Sequence, residues 1–194
     1  MKLIVQIPAL NEEETIATAI AEIPRKMPGV TSVEVLVIDD GSTDKTVEVA
    51  RKAGADHILI MPSNVGLARA FSAGIEEALA LGADIIVNTD ADNQYDAKAI
   101  PALIEPIITR RAQIVVGARP ISEIESFSWI KKKLQHLGSW VVRQASGSDI
   151  PDAPSGFRAY ARDAAARLCV INTYTYTLET IIQAGHLNIP VVSV

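Results

Sequence analysis

Apolar residues in the first two-thirds of the chain alternate between short continuous runs and stretches with helical spacing. The continuous runs predict buried β-strands, and the stretches in which apolar residues recur every three or four positions predict helices. The strands are expected at residues 3–7, 33–38, 57–61, 84–89 and 113–116, and the helices at residues 11–23, 45–52, 66–81 and 97–110. Repeated strand–helix units predict an α/β three-layer sandwich with a mostly parallel central sheet.

Residues that begin or end elements add detail to these boundaries. Pro8 is expected to close the first strand, because it has no N–H for a ladder hydrogen bond. Asn11 is expected to cap the first helix, with Glu14 three residues later returning the bond. Pro101 and Pro106 predict a kink or break in the helix that precedes the fifth strand.

The last third of the chain has a different pattern. Apolar residues at steps of three and four between residues 127 and 143, with lysines at residues 131–133, predict an amphipathic basic helix. A segment rich in Gly, Ser, Asp and Pro at residues 146–156 ends it, and residues 189–194 predict a final strand. We therefore expect a single domain with two parts, residues 1–120 and residues 121–194.

Composition limits the class of protein and its compartment. The chain has 194 residues, of which 48% are hydrophobic, and its net charge of −5 disfavours a general nucleic-acid-binding protein. Cys169 is the only cysteine, so no intrachain disulfide can form, and its apolar surroundings in the sequence predict a core position. No run approaches the roughly 20 apolar residues of a membrane span, and no long apolar leader follows Lys2. We expect a cytoplasmic protein, and an end directly after a predicted strand is typical of a fragment.

Polar clusters follow four of the predicted strands, at the points where these strands end. The clusters are residues 8–12, 39–44, 63–64 and 90–94. Because parallel strands end at one edge of a sheet, and ligands bind there in open α/β sheets, we expect the clusters to form one site.

Asp90 and Asp92 stand on either side of Ala91, directly after an apolar run. In an extended segment, side chains two residues apart point the same way, so two carboxylates would meet at one spot. Paired carboxylates repel each other unless a cation lies between them, and Mg²⁺ or Mn²⁺ prefers oxygen ligands. Gln94 would add a third oxygen on the same side. This pattern predicts a divalent metal site that also holds a phosphorylated substrate.

Other motifs leave alternatives open or exclude common sites. Residues 39–44, Asp-Asp-Gly-Ser-Thr-Asp, either form a tight turn with a helix cap or supply a carboxylate to a base or ribose. The chain has no Walker A loop, no Gly-x-Gly-x-x-Gly after its first strand and no Gly-x-Ser-x-Gly elbow. His57, His136 and His186 lack metal-ligand spacing, and a structural role is expected for His57.

Six segments spread over nearly the whole chain resemble glycosyltransferase family 2, the inverting enzymes with a nucleotide-diphospho-sugar transferase (GT-A-like) fold. They are Ile7-Pro8-Ala9-Leu10-Asn11-Glu12-Glu13, Ile38-Asp39-Asp40-Gly41-Ser42-Thr43-Asp44, Asn64-Val65-Gly66 with Ala70 and Gly74, Asp90-Ala91-Asp92-Asn93-Gln94, Val116-Gly117-Ala118-Arg119, and Ser155-Gly156-Phe157-Arg158-Ala159-Tyr160. The fourth and sixth segments look like the dolichyl/polyprenyl-phosphate mannosyl- and glucosyltransferase branch. The chain departs from the usual pattern at Tyr95, where the family has proline, and at Gln135-His136, where the branch often has Ser-Arg.

The resemblance implies a role for each matching residue. The nucleoside would be held by Pro8, Leu10, Glu12, Ile38 and Asp40, of which Asp40 would contact the base. The metal and the diphosphate would be held by Asp90, Ala91, Asp92 and Gln94, with Asp92 as the main metal ligand. Arg119 would lie near the sugar diphosphate, and Asp152 and Arg158 would lie on the acceptor side. Residues 1–120 would then bind the nucleotide sugar, and residues 121–194 would receive the acceptor.

Two acceptors fit this chemistry, and they need different residues. A divalent cation would neutralise the charge that develops on the departing nucleoside diphosphate, GDP or UDP. A polyprenyl (dolichyl) phosphate is already ionised and needs basic groups that position it, such as Arg158 and the lysines at residues 131–133. A saccharide hydroxyl needs a carboxylate base, and Asp152 or Glu179 is available for that role. We expect the lipid phosphate, with residues 127–143 in peripheral contact with the inner face of the membrane.

Two other functions remain as alternatives. A nucleotidyltransferase would carry a glycine-rich, basic phosphate loop near its N-terminus, whereas residues 8–14 are acidic. A non-catalytic nucleotide-sugar-binding module would keep the donor site without transferring the sugar.

Overall fold

A computed structural model describes residues 1–92, 94–118, 152–172 and 175–194. The described strands are β1 (Lys2–Ala9), β2 (Ser32–Asp39), β3 (His57–Ile60), β4 (Ile85–Asn88), β5 (Ile114–Val116), β6 (Arg158–Ala161) and β7 (Val191–Ser193). The described helices are α1 (Ile16–Ala21), α2 (Thr46–Lys52), α3 (Leu67–Ala80), α4 (Ile100–Ile108), α5 (Arg162–Ala165) and α6 (Thr177–His186), and a 3₁₀ turn at Ala97–Ala99 leads into α4.

The described strands form one sheet in the order β3-β2-β1-β4-β6-β5-β7. β1 lies between β2 and β4 and is parallel to both, and β5 is parallel to β7. Within this described sheet, only β6 runs antiparallel to its neighbours, β4 and β5. The predicted mostly parallel sheet is therefore confirmed, and β1, β2 and β4 end at the same edge.

Apolar side chains cover both faces of the sheet. Along β1, Leu3, Val5 and Ile7 pack with α1, α2 and α4 on one face, and Ile4 packs with α3, α5 and α6 on the other. Because successive side chains of a strand point to opposite faces, a strand with buried apolar side chains on both faces needs helices on both sides. The predicted three-layer sandwich follows from this pattern and is confirmed.

β1 continues through Pro8 to Ala9, so the prediction that Pro8 closes the strand is wrong. The strand tolerates Pro8 because of the direction in which its nitrogen points. The carbonyl of Gln6 accepts a hydrogen bond from Thr89 N, and the pairing with β4 ends at the Gln6–Asn88 pair. The backbone of Pro8, like that of Gln6, points toward β4, but Pro8 lies beyond the last β1–β4 pair. Its missing N–H therefore removes no hydrogen bond from the β1–β4 ladder.

The first helix begins later than predicted. α1 starts at Ile16, and its N-cap residue, Thr15, makes no side-chain capping bond. Asn11 adopts φ 55°, a left-handed conformation that asparagine tolerates, and its Oδ1 accepts a hydrogen bond from Thr43 N at 2.8 Å. The predicted capping box of Asn11 and Glu14 is therefore wrong, since Asn11 joins the loops after β1 and β2 instead.

Two further predictions have different outcomes. The break expected at the prolines is confirmed at Pro101, where a 3₁₀ turn changes to α4, and is wrong at Pro106, which lies inside α4. The core position expected for Cys169 is wrong, because its side chain is exposed. Its N–H donates to Gln183 Oε1 at 3.0 Å, which holds this segment along the outside of α6.

The predicted basic helix at residues 127–143 and Arg119 lie outside the described residues. Among the helices that the structure does describe, none has the length and apolar character needed to cross a membrane. His57 forms a 2.7 Å contact with Glu34 at the start of β3, the end of the sheet opposite to the predicted site.

α3 packs closely on the sheet at Gly74, and this contact gives a stability prediction. A Cβ at Gly74 would lie 2.6 Å from Gln6 Oε1 and 2.7 Å from Ile38 Cδ1. We predict that Gly74→Ala lowers the free energy of unfolding by about 1–2 kcal/mol, because overpacking outweighs the gain in helix propensity. Urea denaturation measures this change. Glu76→Ala, at an exposed position of the same helix, should stay within about 0.5 kcal/mol of the unaltered chain. Equal midpoints for the two variants would contradict the prediction.

Candidate functional site

A cleft of about 460 Å³ lies at the edge of the sheet where β1, β2 and β4 end. It is lined by Pro8, Ala9, Leu10, Glu12, Asp40, Asn64, Gly66, Leu67, Ala70, Asp90, Ala91 and Asp92. All four polar clusters that were expected to meet contribute lining residues. The cleft is therefore the candidate site.

The loop after β1 is held by the loop after β2. Asn11 N donates to Ser42 Oγ at 2.9 Å, and Glu12 N donates to Thr46 Oγ1 at 2.8 Å. The carboxylate of Glu12 accepts a hydrogen bond from Thr15 Oγ1 at 2.7 Å. These bonds fix the main chain of the loop, so the position of Glu12 at the cleft is set before any ligand binds.

Asp40 joins β2 to the start of α3. It is buried, and its two carboxylate oxygens accept hydrogen bonds from the N–H groups of Val65 (2.8 Å) and Gly66 (2.9 Å). Alternation along β2 gives it this direction, because Ile38, two residues earlier, also faces α3. A carboxylate has about four acceptor positions, so Asp40 can hold this loop and still accept a bond from a ligand in the cleft.

The acidic pair lies on a turn and not on an extended segment. The chain turns at Ala91 and Asp92, and Asp92 Oδ1 accepts a hydrogen bond from Gln94 N at 3.1 Å. The expectation of alternating side chains is therefore wrong here. Asp90 and Asp92 nevertheless both line the cleft, whereas Gln94 is exposed and lies outside the lining.

The two aspartates fit a hard divalent cation. Mg²⁺ and Mn²⁺ bind through one or two carboxylates, and water and phosphate oxygens supply the remaining ligands. In the described part of the chain, no group of three or more His, Cys, Asp or Glu side chains is placed to hold a metal. A cation at Asp90 and Asp92 would therefore depend on other oxygens, such as those of a ligand's phosphates.

A buried polar network lies next to Asp90. Gln6 Nε2 donates to Asn88 Oδ1 at 2.9 Å, and Asn88 Nδ2 donates to the Gly156 carbonyl and to the Tyr176 hydroxyl, each at 2.9 Å. Burial raises the pKa of the Tyr176 hydroxyl well above its usual value, so it stays protonated at neutral pH. Of the residues in this network, the sequence motifs singled out only Gly156, which contributes its backbone carbonyl.

Arg158 does not reach the cleft. It is fully buried, and its guanidinium donates to the carbonyls of Ser155 and Thr177, each at 2.7 Å, to Thr180 Oγ1 at 2.8 Å, and to the carbonyl of Ala153. The structure contradicts the expectation that Arg158 positions an acceptor phosphate, because an enclosed guanidinium with these partners cannot contact the acceptor.

The two carboxylates expected to act as bases also lie away from the cleft lining. Asp152 is fully buried. Glu179 is in the first turn of α6, where it accepts hydrogen bonds from the N–H groups of Ile171 and Asn172, each at 3.0 Å. The role of either carboxylate as a base stays a prediction.

The residues expected to hold the nucleoside are divided between the cleft and the core. Pro8, Leu10 and Glu12 line the cleft. The side chain of Ile38 is fully buried beneath α3, so it cannot contact a nucleoside. Leu67, which the sequence reasoning missed, lines the cleft at the first position of α3 and is 48% exposed. An apolar residue directly after the Asn-Val-Gly segment was the available signal.

The sequence profile described as "Glycosyl transferase family 2" matches residues 4–169 of the chain. This chain belongs to glycosyl transferase family 2. An undecaprenyl-phosphate mannosyltransferase from Micrococcus luteus is 30% identical over 169 residues, which are 84% of this chain and 68% of that protein. The UDP-N-acetylglucosamine–dolichyl-phosphate N-acetylglucosaminyltransferase of Methanococcus voltae is 28% identical over 81% of this chain and 68% of that protein.

The fold of this family 2 chain is also found among solved structures. Glucosyl-3-phosphoglycerate synthase from Mycobacterium tuberculosis, in complex with Mn²⁺, UDP and glucosyl-3-phosphoglycerate, superposes with a TM-score of 0.73 at 26% identity. The match covers 99% of this chain and 69% of the synthase. These likenesses confirm the predicted family, its polyprenyl-phosphate branch and the GT-A-like fold.

The two bonds of Asp40 predict its contribution to stability. We expect Asp40→Asn to lower the free energy of unfolding by about 2–3 kcal/mol, because an amide nitrogen cannot accept the bond from Val65 or Gly66. Asp39→Asn is the matched control. Asp39 is equally buried, but it accepts from Ser42 N only at 3.3 Å, and its Oδ1 has no hydrogen-bond partner within the described residues. Its loss should be about 1 kcal/mol or less. Equal losses in guanidinium denaturation would contradict the role of Asp40.

Proposed function

We propose that this chain is the catalytic domain of an inverting glycosyltransferase that moves a sugar from a nucleoside diphosphate to a polyprenyl phosphate. One observation carries the proposal. The cleft of this family 2 fold is lined by the carboxylates of Glu12 and Asp40, which follow β1 and β2, and by those of Asp90 and Asp92, which follow β4. A nucleotide sugar carries hydroxyl and N–H donors at one end and a diphosphate in its middle, so it matches this arrangement.

The lining residues divide the work on the donor by their chemistry. Pro8 and Leu10 present apolar surface to the base, and the carboxylates of Glu12 and Asp40 accept hydrogen bonds from ribose hydroxyls or base N–H groups. Asp90 and Asp92 would hold Mg²⁺ or Mn²⁺, which when bound neutralises the charge that develops on the departing diphosphate. The acceptor attacks from the opposite face of the sugar, which inverts the anomeric carbon.

The acceptor side favours an ionised nucleophile. Asp152 is buried, Glu179 holds a loop, and neither expected base is among the residues that line the cleft. A lipid phosphate needs no strong base. The names of the two relatives, an undecaprenyl-phosphate and a dolichyl-phosphate transferase, support the same acceptor class. Peripheral contact of residues 127–143 with the cytoplasmic face of a membrane, and phosphate binding by Arg119 and the lysines at 131–133, stay part of the proposal.

Donor binding is tested by thermal unfolding with UDP or GDP, each with and without Mn²⁺. A ligand at a hundredfold excess over its Kd adds about 2.7 kcal/mol of stability, which corresponds to a rise in Tm of about 5–10 °C for a domain of this size. We expect such a rise only with one nucleotide and Mn²⁺ together, and we expect Asp92→Asn to remove most of it. Asp163→Asn makes the same change of charge in an exposed residue of α5, away from the cleft, and should keep the full rise. A full rise in Asp92→Asn would refute the metal role of Asp92.

One observation makes a second acceptor class, a hydroxyl group, the alternative to test. The synthase with the same fold was solved with glucosyl-3-phosphoglycerate, the product of transfer to a soluble acceptor. We expect that the chain, supplied with a radiolabelled nucleotide sugar and Mn²⁺, transfers label to a polyprenyl phosphate in detergent and not to phosphoglycerate. Label on phosphoglycerate alone would refute the lipid phosphate as acceptor and support a hydroxyl acceptor. Donor binding without label on either would favour a nucleotide-sugar-binding module.

A further inference from the structure

The hydroxyl of Tyr176 and the carboxylate of Asp90 border the same small space. A Cβ built on Gly156 would lie 3.1 Å from the Tyr176 hydroxyl, and 3.2 and 3.3 Å from the two carboxylate oxygens of Asp90. Asn88 of β4 pairs with Arg158 of the antiparallel strand β6. Two residues beyond this pair, Gly156 comes opposite Asp90, which brings the two residues together. Only glycine leaves the space between the two groups open.

The hydroxyl of Tyr176 is held in one place by a chain of buried amides. Gln6 donates to Asn88 Oδ1, and this fixes which end of the Asn88 amide faces Tyr176. The two protons of Asn88 Nδ2 then go to the Gly156 carbonyl and the Tyr176 hydroxyl. Gln6, Asn88 and Tyr176 are all at most 1% exposed, so water does not compete for these bonds.

The ring of Tyr176 is held as firmly as its hydroxyl. It stacks on Phe71 of α3 with ring centroids 3.8 Å apart and planes 4° from parallel. Tyr176 is also the N-cap residue of α6, so its backbone is fixed by the helix. The stacked ring and the start of α6 therefore both restrict the position of the hydroxyl.

Two acceptors lie near the hydroxyl proton of Tyr176, the Gly156 carbonyl and the Asp90 carboxylate. Because the oxygen of Tyr176 accepts from Asn88, its own proton must point elsewhere. The Gly156 carbonyl is 3.5 Å away, which is long for an O–H···O bond, and it already accepts from Asn88. A carboxylate is the stronger acceptor, and Asp90 borders the same space. Asp90 is also among the groups that, after burial, raise the pKa of Tyr176, which agrees with their proximity.

We propose that Tyr176 is a positioning residue: its hydroxyl, held by Asn88, orients the carboxylate of Asp90 toward the cation and diphosphate in the cleft. This role rests on the proposed donor site. It gives the buried network of Gln6, Asn88 and Tyr176 a function in metal-dependent binding, in addition to its part in the core.

The test measures the Kd of UDP and of GDP by titration calorimetry, with and without Mn²⁺, on the whole chain. Tyr176→Phe removes only the hydroxyl and keeps the ring on Phe71. We expect the Mn²⁺-dependent gain in affinity to fall about five- to tenfold, the size of one lost hydrogen bond. The affinity without Mn²⁺ should change less than about twofold, which separates positioning from a general loss of stability.

Tyr160→Phe is the matched control. Tyr160 is equally buried and also packs on Phe71, with ring centroids 5.8 Å apart, but it pairs with Ile86, four residues before Asp90. It should keep the whole Mn²⁺-dependent gain. Gly156→Ala is the second test variant, because its methyl group would occupy the shared space and should reduce the gain to a similar extent.

Each outcome decides between the proposals. If Tyr176→Phe and Gly156→Ala keep the Mn²⁺-dependent gain of the unaltered chain, the positioning role is refuted and the donor site stands. If Tyr176→Phe fails to fold, Gly156→Ala alone decides in the same way. If the unaltered chain binds neither nucleotide more tightly with Mn²⁺, the proposed metal site is refuted, and the role of Tyr176 with it.

Discussion

Parallel strands end at the same edge of a sheet, so the loops that leave β1, β2 and β4 must satisfy one another's polar groups there. In this chain each bond joins one loop to another. Asn11 links the loop after β1 to the loop after β2, Asp40 links β2 to the start of α3, and Asn88 links β4 to the segment before β6. These bonds join the clusters that follow β1, β2 and β3, and the bond from Gln6 to Asn88 joins β1 to β4 next to the fourth cluster. The walls of the cleft are set by the fold, so a ligand would not have to order them on binding.

The same hydrogen bonds place polar groups in the core, where their burial costs free energy. Gln6, Asn88 and Arg158 are fully buried, and an apolar core of the same volume would cost less to fold. These side chains gain a defined orientation in return, because a hydrogen bond fixes the orientation of a side chain more narrowly than an apolar contact does. All three lie close to the C-terminal edge of the central strands, next to the cleft, and the purely apolar layers begin farther down the sheet. Departures from local rules of packing are expected near a functional site.

The repeated units could be predicted because their signal is local. Apolar runs and helical spacing gave β1 to β5 and the helices between them, within a few residues. β6 and its antiparallel direction could not be predicted in this way, since its pairing with β4 joins residues about 70 positions apart and leaves no local trace. Asn11 failed for another reason. A side-chain oxygen can cap its own helix or bond to a neighbouring loop, and only the tertiary structure decides which.

The segment from Ser155 to Tyr160 shows how a family motif can serve a site without touching a ligand. The resemblance placed Arg158 in a family motif, but the type of a residue does not give the direction of its side chain. Arg158 points into the core, where its planar guanidinium binds the carbonyls of Ala153 and Ser155 together with two groups at the start of α6. A lysine has no such fork of donors and could not replace it. By fixing the turn before β6, Arg158 fixes Gly156, and Gly156 lies against the carboxylate of Asp90. The guanidinium thus acts on the cleft through the backbone, at a distance from any acceptor.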